Sequence, residues 1–142
     1  MNIKVRVNNL IEKYGTKNPL KLTKKLKIDV RYCELGNIKG FYKKILKRKY
    51  IFINCKLNNF ERKLVLAHEL GHAILHSSKD FEFMIDHTRL IRRSKVEQEA
   101  NEFASYLIFG DGEEFEKNHE LEYAVCKNIN SWIVEDILRM RE

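Results

Sequence analysis

A chain of 142 residues, 44% hydrophobic and 33% charged, is long enough to close one moderate core and too apolar to stay disordered. No run of eighteen apolar residues occurs, and the start MNIKVRVNNL lacks the apolar block of a signal peptide, so neither a membrane span nor export is expected and a cytoplasmic protein is. The formal charge of +7 is divided: eleven Lys/Arg face Asp29 and Glu34 between Leu20 and Tyr50, while twelve Asp/Glu face four Lys/Arg from Glu97 onward. One basic and one acidic flank should result.

Lys4–Tyr14 sets Val7, Leu10, Ile11 and Tyr14 on one helical stripe that Gly15 closes. Asn18-Pro19 opens a second short helix, PLKLTKKLK. Ile28–Leu35 alternates and is rich in β-formers, which reads as a strand. Phe41–Ile45 and Tyr50–Asn54 read as a hairpin with a basic tip, Leu46-Lys47-Arg48-Lys49. Asn58-Asn59 caps a helix of about eighteen residues. Ser77–Arg92 has no sustained period and reads as a connection with a brief extended piece near Phe81–Ile85. From about Ser94 to Phe109, Val96, Ala100, Phe103, Ala104 and Leu107 form the apolar stripe of another helix, which Gly110-Asp111-Gly112 breaks. Glu113–Lys127 and Ser131–Met140 carry two further helical patterns. The expected architecture is one α+β domain over residues 1–142. It is mostly helical, with a small antiparallel or mixed sheet before the long helix and residues 111–142 as a helical extension. Cys33, Cys55 and Cys126 are odd in number and outside any CxxC pair, so reduced and mostly buried thiols are expected.

Chemistry concentrates in LAHELGHAILH, residues 66–76. His68 and His72 are separated by about 6 Å along a helix and about 40° around it, so both imidazoles can reach one ion at ~2.0–2.1 Å. Glu69 lies one residue round, poorly placed to ligate but suited to take a proton from a water on the ion. Gly71 costs about 1 kcal/mol relative to Ala inside a helix, which points to close approach by another segment. His76 is about 12 Å from His68 along the axis, cannot share an ion with it, and reads as a surface or helix-end residue.

Two histidines leave room for one more protein ligand. Leu75 and Ser78 stand where a HExxHxxGxxH pattern would need Gly and His, so a glutamate from a later helix is the remaining common source. Glu97 and Glu99 are candidates; they lie about 200° apart on their helix, so at most one faces the ion. Glu97 is the better choice, because Asn101 at i+4 shares its side and can hydrogen-bond the outer nitrogen of a ligand histidine. Ala100 and Ala104 would let this helix approach closely, and Glu99 fits a solvated flank beside Glu102.

HELGHAILH followed by EQEANEFASYLI resembles the two hallmark segments of the ImmA/IrrE family of zinc metallopeptidases, and Gly15–Asn54, ending in Ile53-Asn54, is similar to its N-terminal region. The resemblance implies a zincin-like fold and a gluzincin-like site, with zinc on His68, His72 and Glu97 and Glu69 as base. It also implies an anti-repressor of a prophage or mobile element that cleaves a partner helix-turn-helix repressor. The chain departs from the family at Leu107-Ile108-Phe109-Gly110, where members usually read LLMP. An oxyanion donor is expected, with His87, Tyr106 and His119 as candidates.

Two other readings compete. One is a binding module that inactivates a repressor by contact, its zinc structural or vestigial. The other is a nucleic-acid binder using Lys43, Lys44, Lys47, Arg48 and Lys49 interleaved with Phe41, Tyr42 and Tyr50. A core-facing apolar set with lysines outside explains that pattern more simply. The acidic segment ELEYAVCKNINSWIVEDILRM also argues against a DNA-reading helix, which should be basic.

Overall fold

The structure, a computed structural model, describes residues 2–76, 83–85 and 95–110. Helix α1 (Ile3–Tyr14) is capped by Asn2, whose side chain accepts from Val5 N at 3.1 Å, and ends on Gly15 at φ 70°, a left-handed position that favours glycine. Ile3 and Val7 are buried; Leu10, Ile11 and Tyr14 pack partly against the same core. In helix α2 (Pro19–Lys25), Asn18 Oδ1 accepts from the backbone of Leu20 at 2.9 Å and Lys21 at 3.2 Å, and Pro19 occupies the first turn where its missing N–H is not needed.

Four strands follow the order β1-β3-β2-β4, with β1 (Ile28–Cys33) parallel to β3 (Arg48–Asn54) and β2 (Gly40–Ile45) antiparallel to both β3 and β4 (Phe83–Ile85). The sheet is therefore mixed. β3 begins at Arg48 rather than Tyr50, so only Leu46 and Lys47 turn the hairpin, with Leu46 at φ 56° and 91% exposed. Two-residue turns match the twist of paired strands, which shortens the four-residue tip expected from sequence.

Strand alternation decides the faces. Tyr42, Ile51 and Ile53 are fully buried. On the same face, a Cβ on Gly40 would come within 2.6 Å of Val65 Cγ1 and 2.8 Å of Phe52 O, so glycine is what lets the following helix lie against the sheet. Phe41, Tyr50 and Phe52 occupy the opposite face, with ring centroids 4.6 Å apart for Phe41–Phe52 and 6.2 Å for Tyr50–Phe52. Of the hairpin aromatics considered from sequence, only Tyr42 turns to the core, because Phe41 is its neighbour on the strand and the register sets Tyr50 opposite Lys43.

Helix α3 (Asn59–Leu75) starts where Asn58 Oδ1 accepts from Glu61 N at 2.8 Å. Its entry is braced by buried Asn54, which donates through Nδ2 to Gly36 O at 3.1 Å and Ile38 O at 2.9 Å and accepts from Lys56 N at 3.0 Å. Helix α4 (Lys95–Phe109) packs along α3. Ala100, Phe103, Ala104 and Leu107 of α4 are fully buried. A Cβ on Gly71 would meet Phe103 at 3.2 Å, so α4 is the segment whose close approach that glycine admits.

Cys33 is half-buried and Cys55 exposed, contrary to the expectation of mostly buried thiols: both sit at or just past strand ends, where the sheet offers no cover. Among the described residues no helix is long and apolar enough to cross a membrane. Ser77–Arg92 apart from β4, the helical patterns beyond Gly110, His87, His119 and Cys126 lie outside the described residues.

Candidate metal centre

One turn of α3 and the first half of α4 bring together the side chains singled out from sequence. His68 Nε2 lies 2.7 Å from Glu97 Oε2, His72 Nε2 lies 3.0 Å from Glu97 Oε1, and the two Nε2 atoms are 3.2 Å apart. The two imidazole rings meet edge to face at 80°, so their nitrogens converge while the rings avoid each other. On the far side of the His68 ring, Nδ1 lies 2.5 Å from Asn101 Oδ1. His68, Glu69, His72 and Asn101 are 0% exposed and Glu97 is 1% exposed.

Glu69 also offers an oxygen within 4.8 Å of both histidines. Proximity alone therefore leaves either glutamate open as a third ligand. Contact favours Glu97, whose two oxygens reach one histidine each. Neither oxygen of Glu69 has a hydrogen-bond partner among the described residues.

Proton bookkeeping tests whether the cluster suits a cation. Asn101 Oδ1 only accepts, so His68 donates from Nδ1, and a ring without a second proton keeps a lone pair on Nε2. That lone pair faces a carboxylate oxygen at 2.7 Å and a second imidazole nitrogen at 3.2 Å. Acceptors this close must share a positive charge, either a proton or a metal ion. Tetrahedral zinc with bonds of ~2.0–2.1 Å sets its ligand atoms about 3.3 Å apart, so shifts of a few tenths of an ångström would seat one. The donor set, two imidazoles and a carboxylate, is one zinc accepts.

Burial pushes the Glu69 carboxyl well above the usual carboxylate range, and the charge of Glu97 adds to the rise. Burial lowers His72 to about 4, against a hydrogen bond to Glu97 that favours the charged ring. Burial also acts to raise Glu97, but the charge of His68 and hydrogen bonds from both histidines outweigh it and hold Glu97 at about 2. The two carboxyl groups are thus shifted in opposite directions, and a nearby cation would oppose the rise at Glu69.

Sequence reasoning set His76 and Glu99 aside, yet both adjoin the cluster. His76 Nδ1 lies 3.0 Å from His72 Nδ1, and His76 Nε2 lies 3.4 Å from Glu99 Oε1; the side chains are 9% and 18% exposed. Glu99 therefore turns to α3 rather than to a solvated flank. The signal was present in the spacing, because His72 and His76 stand four apart as His68 and His72 do. Tyr106 is half-buried against the core.

A peptidase family model, the IrrE N-terminal-like domain, matches residues 23–125. Over 110 residues the chain is 46% identical to "Uncharacterized immunity region protein 2" of Bacillus phage phi105, a match covering 77% of this chain and 69% of that protein. Over 109 residues it is 30% identical to "Metallopeptidase ImmA" of Bacillus subtilis (strain 168), covering 77% of this chain and 64% of that protein. The matches thus span about two thirds of each relative. No solved structure matches significantly.

Proposed function

This chain belongs to the IrrE N-terminal-like domain family of peptidases, and from that membership we propose that it is a zinc-dependent endopeptidase acting on a helix-turn-helix repressor in the cytoplasm. The observation that carries the reading is the convergence of the His68, His72 and Glu97 acceptor atoms beside buried Glu69, whose oxygens have no partner among the described residues. The repressor is suggested by the phage relative, named as an immunity region protein, and the reaction by the Bacillus subtilis relative, named as a metallopeptidase.

His68 and His72 would hold the ion through Nε2 and Glu97 through its carboxylate, while Asn101 fixes the His68 tautomer. When bound, zinc supplies a positive charge that acidifies water and polarises a peptide carbonyl. Burial and the charge of Glu97 raise the Glu69 carboxyl above its ordinary range; beside a bound cation Glu69 would be the proton acceptor. It takes the proton of the attacking water, and hands it to the amine nitrogen as the peptide bond breaks. Low exposure of the whole cluster keeps these charges unscreened.

The test is to incubate the protein with a helix-turn-helix repressor encoded beside it. Wild type should yield repressor fragments, and chelation should stop it. Glu69→Gln should retain zinc and cleave about 10²–10⁴-fold more slowly. Repressor inactivated equally by both proteins, with no fragments, would replace the peptidase with a contact inhibitor whose zinc is structural.

A further inference from the structure

His68 has an evident support for its outer nitrogen in Asn101. The outer nitrogen of His72 faces His76. We propose that His76 and Glu99 form a second support, a relay that fixes the tautomer and ring orientation of His72 for metal binding. It rests on the reading of the cluster as a metal site.

Donors and acceptors alternate without conflict along the relay. A His72 ring that offers its Nε2 lone pair to an ion must carry its proton on Nδ1. That Nδ1–H points at His76 Nδ1, 3.0 Å away, which accepts only if His76 carries its own proton on Nε2. That Nε2–H in turn lies 3.4 Å from Glu99 Oε1, a carboxylate contact rather than a well-formed hydrogen bond. Every link has one donor and one acceptor. The opposite tautomer of His76 would set two N–H groups against each other.

The local backbone places the parts. His76 is the C-cap of α3, its N–H bonded to His72 O at 2.9 Å, and its ring lies 5.1 Å from the His72 ring. The helix end leaves His76 nearly covered but beside the α4 flank that carries Glu99. One helix thus supplies His68, His72 and His76 in succession. The other supplies Glu97 to the centre, Asn101 to one side and Glu99 to the other. The two outer supports differ in kind, a direct amide for His68 and a histidine–carboxylate pair for His72. His76 is a positioning residue and need not touch substrate or ion.

The experiment measures zinc affinity of the full chain by chelator competition, together with the His72 Nδ1–H signal in long-range proton–nitrogen spectra of the zinc-loaded protein. Loss of an outer hydrogen bond to a ligand histidine costs about 10–100-fold in affinity. His76→Ala should show that loss, with the His72 signal weakened by exchange. His76→Asn places an amide oxygen where Nδ1 was, so it should restore the signal and bring affinity back to within about threefold. Glu99→Ala, which perturbs the core least, should weaken binding by about tenfold or less and serves if His76→Ala does not fold. Unchanged zinc affinity in both alanine variants would overturn the relay. Equal weakening by His76→Ala and His76→Asn would also overturn it, reducing His76 to packing. A wild-type chain that binds no zinc would instead overturn the metal reading, and the relay with it.

Discussion

Helix α3 belongs to two buried seams of opposite character. Toward the sheet, Val65 lies against Gly40, beside Tyr42, Ile51 and Ile53, and the contact is almost wholly apolar. Toward α4, His68, Glu69, His72, Glu97 and Asn101 are buried in the same degree. Removing apolar surface from water stabilises a fold by roughly 25 cal/mol per Å². A buried polar group lacking a partner costs about 1–3 kcal/mol. The sheet seam therefore favours folding, whereas the α4 seam offsets part of that gain to hold groups that suit a cation. One helix carries both, so the rigidity of the first can fix the geometry of the second.

The largest effect expected from this contrast is in the sheet seam. Ile51→Ala removes a fully buried branched side chain and should cost about 2–5 kcal/mol in denaturant unfolding, while the molecules still folded keep their zinc affinity. A parallel loss of affinity would mean the seams are coupled.

Next comes pH, which should act through the polar seam. His72 is held at about 4 when folded, below its ordinary 6.5, so its share of stability is complete above pH 6.5 and lost as pH falls through 4, up to about 3 kcal/mol. Glu97, held at about 2, extends the same trend below pH 4.5. Glu69 runs the other way: its raised pKa makes the folded state retain a proton, and its share is lost as pH rises through that value. Unfolding of the metal-free protein between pH 7 and 4 should show the acid loss, and His72→Gln should flatten it. An unaltered slope in that variant would remove His72 from the account.

The smallest effect belongs to neither seam. Asn58→Ala removes the cap of α3 and should lower stability by about 1 kcal/mol, with zinc affinity unchanged. A larger penalty to zinc than to folding would show that the ligands depend on the frame of the helix start.

Much of this was legible in the sequence because it is local. Asn18 and Asn58 announce their helices by capping chemistry, and an i,i+4 pair of histidines shares a face in any α-helix. Placing Asn101 on the side of Glu97 needed the same arithmetic. What was not legible depends on partners distant in sequence. The parallel pairing of β1 with β3 has no local signature. Leu46 takes a positive φ without the Gly or Asn that usually marks such a turn. Phe41 and Tyr50 are as apolar as Tyr42, yet the register sends them to the other face. His76 was weighed only as a partner of His68, too far along the axis, and its closeness to His72 went unused. Glu99 looked solvated because the flank of α4 that meets the end of α3 is set by helix packing, which the pattern of α4 alone does not specify.

Anomalous scattering at the zinc edge, from crystals of the zinc-loaded protein, tests the central claim most directly. The expected result is one strong peak about 2.0–2.1 Å from Nε2 of His68, Nε2 of His72 and a carboxylate oxygen of Glu97, with Glu69 beside it but not bound. A peak coordinated by Glu69 in place of Glu97, or located away from these side chains, would contradict it.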